Sequence, residues 1–543
     1  MAVWCYADLW ESVAGAQPER PAIIQGERII AWEAFNAEAD ALAAHLRKAG
    51  LGRHAKVGIH MHNAPEYLIA QFAAYKMSFA PFNANYRYGA NELHYLFDNA
   101  DAEAVIFDAD LADRLEPIRE RLPLVKSWIG VARPGAAVPP WAEDFAGVVA
   151  AKVAPNQQGP WGRSEDDLMM LYTGGTTGMP KGVMWRQGDL MGVGSYGANP
   201  LIGAEPLAKP EDAGPRAATS GLPRPVAMIG PPLMHGTGLM GAQAAFTFGG
   251  TVVLLAGRKF DPVELWDAVH AHRATRISIV GLPFATPMLD ALDTNPGRWD
   301  VSSVRMIGSS GAMWSKENKA GLLRHMPQVQ LMDAFASSEA LGLGVSTSAA
   351  AAAETTARFV AGPNTAVFDE DWQRVAPGSG KRGMVALSGF LPLGYYKDPE
   401  KTARTFPTIE GQRWSVPGDW AEVNEDGSLK LLGRGSQSIN TGGEKVFPEE
   451  VEEALKRHAA IRDAAVVGVP DARFGEKICA VVEPRPGFGT PELPDLAAFV
   501  KTQLADYKAP RALVVVESIG RSPNGKMDYP AVKRLALERT QAL

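Results

Sequence analysis

The chain of 543 residues is longer than one ordinary domain, so at least two domains are expected. Its hydrophobic content of 46% and charged content of 21% are typical of a soluble globular protein. The formal net charge of −7, without a basic run, argues against nucleic-acid binding, and two widely separated cysteines argue against a disulfide framework or a cysteine metal site.

Strand and helix patterns alternate through the first part of the chain. They predict a hairpin at 21–32, strands at 56–60, 80–83 and 104–107, and helices at 8–16, 33–48, 65–77 and 92–99. Alternation of this kind indicates a parallel sheet covered by helices on both faces. The proline-containing stretch 134–160 is expected to be a surface excursion.

The middle of the chain contains a charge-free run at 225–257 that is long enough to span a bilayer. Proline and glycine pairs interrupt this run, which favours a buried strand–loop–helix–strand unit over a membrane helix. The stretch 195–225 is rich in Gly, Pro and Ala and is expected to be a long loop or lid. A GxGxxG pattern at 192–197 lacks a preceding strand and is followed by Asn199-Pro200, which argues against a dinucleotide-binding fold.

The pattern of predicted helices and strands changes after residue 433. Before it, the pattern predicts a helix at 260–272 and strands at 277–280 and 304–308. After it, the pattern predicts a compact α+β unit with helices at 448–458, 496–504 and 529–543 and strands at 464–469, 478–482 and 512–516. We therefore expect a large domain at 1–433 and a small domain at 434–543.

Residues 171–182, here called the phosphate loop, read Leu-Tyr-Thr-Gly-Gly-Thr-Thr-Gly-Met-Pro-Lys-Gly. Glycines let a backbone turn tightly and approach a ligand, and threonine hydroxyls, exposed N–H groups and a lysine bind phosphate oxygens. This composition predicts a site for the polyphosphate of a nucleotide, although a Gly/Thr loop by itself is also common as a surface turn. A Walker A loop is excluded because Pro180 precedes Lys181 and Gly182 follows it.

The phosphate loop resembles the Tyr-Thr-Ser-Gly-Thr-Thr-Gly-x-Pro-Lys-Gly loop of the adenylate-forming superfamily, which contains acyl-CoA synthetases, peptide-synthetase adenylation domains and beetle luciferases. Gly174 replaces the usual Ser, which removes one hydroxyl but keeps the threonines and Lys181. Further segments match the superfamily in order, so the resemblance spans nearly the whole chain; they lie at 232–236, 308–312, 333–339, 416–420, 432–452 and 522–526. The resemblance implies an α/β fold class, with a large N-terminal domain of mixed, mainly parallel sheets covered by helices and a small mobile α+β C-terminal domain.

Nucleotide-binding residues follow from the same resemblance. It assigns to the nucleotide Thr173, Gly174, Gly175, Thr176, Thr177, Gly178, Lys181, Gly311, Ala312, Asp333, Ala334, Phe335, Ser338, Asp419, Arg434 and Lys526. Phe335 and Ser338 replace the family's Tyr and Thr, and an aromatic face can still stack on adenine. Asp419 is expected to bind both ribose hydroxyls, and Arg434 the ribose and phosphate.

The predicted catalytic set consists of Lys526, Thr173, Glu339 and His235. A carboxylate that faces phosphates is favourable only when a cation lies between them, and Mg²⁺ takes hard oxygen ligands, so Glu339 and Thr173 are assigned to Mg²⁺. The resemblance places Lys526 between the substrate carboxylate and the α-phosphate, where it would counter the charge that develops during the displacement. Without the resemblance, Lys526 is an ordinary surface lysine after a Pro-Asn-Gly turn.

His235 lies in an apolar run, where a lone histidine is more often a packed core residue. The resemblance instead places it beside the acyl carboxylate, in a substrate pocket formed with Met234, Gly236 and Gly308. Gly442 and Gly443 would line the approach of a thiol, because a side chain there would block a narrow tunnel. The family's Lys-Asp hinge is Ser436-Gln437 in this chain, which leaves the identity of the pivot open.

The function implied is that of an ATP-dependent acyl-CoA synthetase that uses ATP, Mg²⁺ and coenzyme A. Apolar residues around His235 favour an apolar acid. The sequence of residues 442–448 resembles that of bacterial fatty-acyl-CoA synthetases, including those acting on steroid side chains. Two alternatives stay open: a stand-alone acyl-AMP ligase that loads a separate carrier protein, and a nucleotide-binding module without catalysis. Cytoplasmic location, a homodimer and no membrane-spanning segment are also expected.

Overall fold

The computed structural model describes residues 3–175, 178–199, 202–312, 314–349, 358–437, 439–441, 444–471, 475–504, 506–522 and 527–541. Within them the helices are α1 (Tyr6–Ala16), α2 (Trp32–Lys48), α3 (Pro65–Lys76), α4 (Ala90–Asn99), α5 (Ala112–Leu115), α6 (Phe145–Val149), α7 (Gln187–Val193), α8 (Ala213–Thr219), α9 (Gly236–Thr247), α10 (Pro262–His272), α11 (Leu282–Thr294), α12 (Lys316–His325), α13 (Pro399–Thr405), α14 (Pro448–Lys456), α15 (Leu493–Lys501) and α16 (Tyr529–Gln541).

The strands are numbered in the same way. They are β1 (Pro21–Gln25), β2 (Arg28–Ala31), β3 (Lys56–His60), β4 (Ala80–Asn83), β5 (Ala102–Asp108), β6 (Ser127–Val131), β7 (Glu143–Asp144), β8 (Leu168–Gly175), β9 (Gly178–Arg186), β10 (Val226–Ile229), β11 (Thr251–Leu254), β12 (Arg276–Ile279), β13 (Met306–Ser310), β14 (Gln330–Ser337), β15 (Ala340–Ser348), β16 (Arg358–Ala361), β17 (Thr365–Phe368), β18 (Arg382–Leu387), β19 (Gly394–Tyr395), β20 (Thr408–Ile409), β21 (Gln412–Arg413), β22 (Asp419–Val423), β23 (Leu429–Arg434), β24 (Ile439–Thr441), β25 (Glu444–Val446), β26 (Ile461–Asp471), β27 (Gly475–Pro484) and β28 (Ala512–Val515).

Two sheets form the large N-terminal part. The larger sheet has the order β17-β18-β22-β23-β16-β15-β14-β13-β12-β10-β11-β1-β2, parallel from β14 to β1 and antiparallel elsewhere. The second sheet has the order β19-β9-β8-β4-β3-β5-β6-β7, parallel from β8 to β7, with β9 and β19 antiparallel at one edge. The α/β fold class with mixed sheets is therefore confirmed.

A shared core joins the two sheets. One cluster of buried residues draws from both of them and from the helices between them. Helix α3 shows this best, because every one of its residues is buried. An amphipathic surface helix has one apolar face and one polar face. Because the side chains on every face of α3 are buried, α3 is an internal helix.

The last hundred residues form a separate small sheet. Its order is β25-β24-β27-β26, with β28 pairing parallel to β27, and helices α14, α15 and α16 accompany it. Strand β23 ends in the larger sheet and β24 begins in the small one. The exact boundary at 433/434 stays a prediction.

Two stretches expected to be irregular contain regular structure. Residues 134–160 include β7, which extends the second sheet, and α6, whose Phe145 is buried. Residues 195–225 include α8, which packs against α1, because Gly214 lets the two backbones approach: an added Cβ would lie 2.2 Å from the Ser12 oxygen. The small residues of this stretch therefore include a site of close helix packing, and its role as a lid stays a prediction.

The charge-free run at 225–257 folds as predicted. It forms β10, a loop, α9 and β11. Across the ranges given above, no helix is both long enough and apolar enough to cross a membrane.

A buried lysine ties three N-terminal helices together. Lys76 of α3 is 0% exposed, and its ammonium lies 2.7 Å from Glu11 Oε1, 2.8 Å from Asp40 Oδ1 and 2.8 Å from Asn36 Oδ1. A buried charge of this kind is tolerated only when it is paired and hydrogen-bonded.

We expect Lys76→Met to destabilise the N-terminal part by about 3–5 kcal/mol, because it leaves the buried Asp40 carboxylate without its cation and leaves Glu11 paired with Arg163 alone. Urea unfolding followed by tryptophan fluorescence measures the effect. The control is Lys126→Ala, which removes a half-exposed partner of Glu103 and is expected to cost about 1 kcal/mol or less. Equal losses in the two variants would contradict the role given to Lys76.

Candidate active site

The phosphate loop lies on the hairpin formed by β8 and β9. Thr173 pairs directly with Lys181 across the two strands, so the predicted hydroxyl and ammonium groups are neighbours. Gly182 packs beneath Tyr172, and an added Cβ would lie 2.7 Å from the Tyr172 ring. The backbones of Gly174, Gly175 and Gly178 belong to the same hairpin, whereas Thr176 and Thr177 lie outside the described residues.

Lys181 forms an ion pair with Asp398, a residue that the sequence analysis did not select. Asp398 caps helix α13, where its Oδ1 accepts a hydrogen bond of 2.9 Å from the Lys401 N–H. The hydrogen bond from Lys181 holds the pKa of Asp398 below its ordinary value. The lysine predicted to bind phosphate is therefore paired with a carboxylate.

Glu339 is held against the same hairpin. The Tyr395 hydroxyl donates a hydrogen bond of 2.7 Å to Glu339 Oε1, and Ser415 Oγ donates one of 2.7 Å to the Glu339 carbonyl. Trp185 of β9 donates from Nε1 to the Ser338 carbonyl at 2.9 Å. The turn after β14 that carries the predicted Mg²⁺ ligand is thus fixed by side chains from β9 and β19.

His235 stands at the N-cap of α9, directly after the loop that follows β10. Its neighbours in sequence are placed by Asn83, at the carboxyl end of β4. Asn83 Nδ2 donates to the Met234 carbonyl and to the Tyr172 carbonyl, both at 2.8 Å, and Asn83 Oδ1 accepts from the Tyr172 N–H at 2.8 Å. One amide therefore touches both the residue before His235 and the strand that leads into the phosphate loop.

The residues predicted to face the adenine lie at the ends of β13 and β14. These strands are parallel, and their register aligns Ser309 with Asp333 and Ser310 with Ala334. Gly308 is on β13, and Gly311 and Ala312 follow it. The carboxyl ends of adjacent parallel strands open at one sheet edge, which is where ligands bind in α/β folds.

Two members of this group already have protein partners. Asp333 forms a buried ion pair of 2.8 Å with Lys319, and burial raises the pKa of its carboxyl group. The Phe335 ring packs 5.6 Å from the Phe359 ring, centroid to centroid, in a buried cluster. Their assignment to the nucleotide stays a prediction.

The predicted ribose contacts lie on a neighbouring pair of strands. Asp419 opens β22, is largely buried, and pairs in register with Arg434 at the end of β23. Lys526, Gly442 and Gly443 lie outside the described residues. The structure thus links the phosphate loop to the His235 segment through Asn83, and links the Glu339 turn to the same hairpin through Trp185 and Tyr395.

The sequence analysis did not select three residues that hold the candidate active site together. Asn83 ends a buried parallel strand, a position where a polar side chain reaches the sheet edge used by ligands. Asp398 precedes Pro399, the usual N-cap arrangement of a helix, which indicates its capping but not its bond to Lys181. Tyr395 showed no comparable pattern.

Comparisons with known proteins agree with this geometry. Family profiles match residues 10–396 as an AMP-binding enzyme and residues 450–526 as the AMP-binding enzyme C-terminal domain. A medium/long-chain-fatty-acid–CoA/3-oxocholest-4-en-26-oate–CoA ligase of Mycolicibacterium smegmatis is 41% identical over 542 residues, covering 98% of this chain and 96% of the relative. A 3-oxocholest-4-en-26-oate–CoA ligase of Rhodococcus rhodochrous is 40% identical, covering 96% of this chain and 94% of the relative.

A solved structure supports the fold independently. The anthranilate CoA ligase AuaEII, in complex with anthranoyl-AMP, superposes with a TM-score of 0.84 at 19% identity, covering 100% of this chain and 99% of that one. The chain therefore belongs to the family of AMP-binding enzymes, and the prediction of an acid–thiol ligase of the adenylate-forming superfamily is confirmed.

Proposed function

We propose that the chain is an AMP-forming acyl-CoA synthetase that activates an apolar carboxylic acid with ATP and transfers the acyl group to coenzyme A. The observation that carries the proposal is the 41% identity, over 98% of the chain, to a ligase named for fatty acids and a steroid side-chain acid. The matching regions include both the phosphate-loop hairpin and the small C-terminal unit.

The first half-reaction has to make a poor acyl donor into a good one. A carboxylate oxygen attacks the α-phosphorus of ATP, the bond to the bridging oxygen breaks, and pyrophosphate leaves with the electron pair. Lys181 and Lys526 are the cations assigned to this displacement, and oriented charge near the developing negative charge lowers the barrier. His235 is assigned to the substrate carboxylate, next to the apolar side chains of Met234 and Leu239, both buried.

Glu339 and Thr173 fit the requirements of a Mg²⁺ site. Both offer hard oxygen atoms, and Tyr395, on the strand paired with β9 of the phosphate-loop hairpin, orients the Glu339 carboxylate by a hydrogen bond. The ion would neutralise phosphate charge when bound. The protein's own part is to hold Glu339 and Thr173 on elements that contact each other.

The second half-reaction transfers the acyl group to a thiol. The thiolate attacks the acyl carbon, AMP leaves, and a thioester forms. Gly442 and Gly443 are assigned to the thiol path. A rotation of the small unit about residues 436–437 would let one unit serve both steps in turn.

The acid is proposed to be a fatty acid or a steroid side-chain acid. Helix α9, which follows His235, is apolar on the face that enters the shared core, through residues such as Leu239, Ala242 and Phe246. The support for an acid with a hydrocarbon body is the naming of the similar ligases for fatty acids and a steroid side-chain acid. Cytoplasmic location and a homodimer stay predictions.

A screen of carboxylic acids tests the proposal. Pyrophosphate release is measured with fatty acids of graded length, 3-oxocholest-4-en-26-oate and benzoate, and the thioester is identified by mass spectrometry with free coenzyme A present. Release with apolar acids together with acyl-CoA is expected. Release without acyl-CoA would favour an acyl-AMP ligase that loads a carrier protein, and no release with any acid would favour a non-catalytic nucleotide-binding module.

We expect Glu339→Gln to lower Mg²⁺-dependent pyrophosphate release about 10²–10³-fold, because the charge that balances the metal is lost while the side-chain size is kept. The control is Glu400→Gln, an exposed carboxylate on α13. Wild-type release with an unchanged Mg²⁺ requirement would show that Glu339 is not a metal ligand.

Lys526 is expected to act in adenylation only. Lys526→Ala should slow acid-dependent pyrophosphate release by roughly two to four orders of magnitude, about 3–5 kcal/mol of lost transition-state stabilisation. The same variant, given pre-made acyl-adenylate and coenzyme A, should form thioester at nearly the wild-type rate. Lys533→Ala, which removes a half-exposed partner of Glu476, is the matched control. A similar loss in both half-reactions would contradict the rotation of the small unit.

A further inference from the structure

Two asparagines at the carboxyl end of the second sheet hold the loop that precedes His235. Asn63, after β3, donates from Nδ2 to the Pro231 carbonyl at 3.0 Å and accepts on Oδ1 from the Leu233 N–H at 2.6 Å. Asn83, at the end of β4, donates to the Met234 carbonyl at 2.8 Å. Between them they bind three of the four residues from Pro231 to Met234.

The loop lies between the two sheets and needs these partners. It connects β10 of the larger sheet to α9, and Leu233 and Met234 are buried. Buried backbone N–H and C=O groups cost free energy unless they are hydrogen-bonded. The side chains of the second sheet supply bonds that a regular strand neighbour would otherwise supply.

Asn83 differs from Asn63 because it binds two structures at once. The backbone register of β4 and β8 pairs Phe82 with Met170, and beyond that point the Asn83 side chain takes over the bonding to Tyr172. It accepts from the Tyr172 N–H and donates to the Tyr172 carbonyl, both at 2.8 Å. With its second amide hydrogen on Met234, every hydrogen-bonding position of this buried side chain except one lone pair is used.

Tyr172 is itself held firmly. Its ring lies against Phe82 at 5.5 Å between centroids, and its hydroxyl donates to Asn99 Oδ1 at 2.8 Å. Thr173 follows immediately and begins the predicted phosphate contacts. A displacement of β8 at this point therefore has to move Asn83, and through it the Met234 carbonyl.

We infer that Asn83 is a positioning residue that couples the phosphate loop to the 231–235 loop, and that Asn63 anchors the 231–235 loop without taking part in the coupling. Nucleotide binding on β8 then orders the segment that carries His235, so that the acid is bound in register with the α-phosphate. The consequence for the acid rests on the proposed function; the link between the two segments rests on the contacts alone.

Hydrogen exchange measures the link without any acid. Backbone exchange of the peptide 231–239 is followed by mass spectrometry with and without α,β-methylene ATP and Mg²⁺, in the wild type and in the variants. In the wild type we expect the analogue to slow exchange of this peptide at least about fivefold, the lower end of usual coupling between sites.

The variants separate coupling from anchoring. In Asn83→Ala the analogue should change exchange of the peptide less than about twofold. Asn83→Asp keeps an acceptor for the Tyr172 N–H but removes both donated bonds, to the Met234 and Tyr172 carbonyls, so the same loss is expected without a cavity. In Asn63→Ala exchange should be faster in both conditions, and the effect of the analogue should persist.

Asn318→Ala provides the matched control. Asn318 on α12 is as buried as Asn83, at 8% exposure, and its side chain binds Ser315 and Thr286. This variant should lose stability, measured by thermal unfolding, while the analogue still slows exchange of 231–239 as in the wild type. If Asn83 had only a structural role, the analogue would slow exchange of 231–239 in Asn83→Ala as it does in Asn318→Ala.

Two results would overturn the inference: no effect of the analogue on 231–239 in the wild type, or an undiminished effect in both Asn83 variants. Because the exchange experiment needs only nucleotide, it remains decisive if the acid screen fails. A failed screen with the expected exchange pattern would remove the proposed acid and acceptor but leave the coupling in place.

Discussion

The site depends on how buried backbone groups are paired where the two large sheets meet. Strands β3, β4 and β8 end at this seam, and the loops after β10 and β14 reach it from the other sheet. Neither loop can continue the ladder of the facing sheet, so side chains complete the hydrogen bonding: Asn63 and Asn83 for the 231–235 loop and Trp185 for the 338–339 turn. An unpaired group here would cost about 1–3 kcal/mol, which makes these amides and the indole structural requirements.

The charged residues of the site lie on or beside the same hairpin. Lys181 lies on β9 and forms an ion pair with Asp398. Glu339 accepts a hydrogen bond from Tyr395 on β19, the strand paired with β9. The ion pair between Lys181 and Asp398 joins the phosphate loop to the N-cap of α13. Lys181 is also the residue predicted to bind phosphate, and a phosphate bound there would compete with Asp398 for the same ammonium.

Local patterns in the sequence located the helices and strands from α1 to β5 and those after β25, whereas the strands from β14 to β23 were not predicted. The strand at 80–83 and the strand at 56–60 coincide with β4 and β3, because alternation of apolar runs and glycine or proline breaks depends on nearby residues alone. The motif residues on β8, β13 and β14 could be selected because each motif consists of consecutive residues, and their roles stay predictions.

What the sequence did not reveal are contacts between distant segments. Asn83 and Met234 are separated by 151 positions, and Lys181 and Asp398 by 217. No periodicity relates such residues, and an asparagine at a strand end resembles any turn residue. The helix α8 was missed for a related reason: its alanines and glycine look like a loop until α1 is placed against them.

The central claim is that this seam assembles a site where the AMP group of ATP is transferred to a carboxylic acid. Its most direct test uses a carboxylic acid labelled with ¹⁸O in both carboxyl oxygens, turned over by the wild-type chain with ATP and coenzyme A. If a carboxylate oxygen attacks the α-phosphorus, AMP recovered from the reaction contains one labelled oxygen, and pyrophosphate contains none. Unlabelled AMP, or formation of ADP with labelled phosphate, would contradict the account.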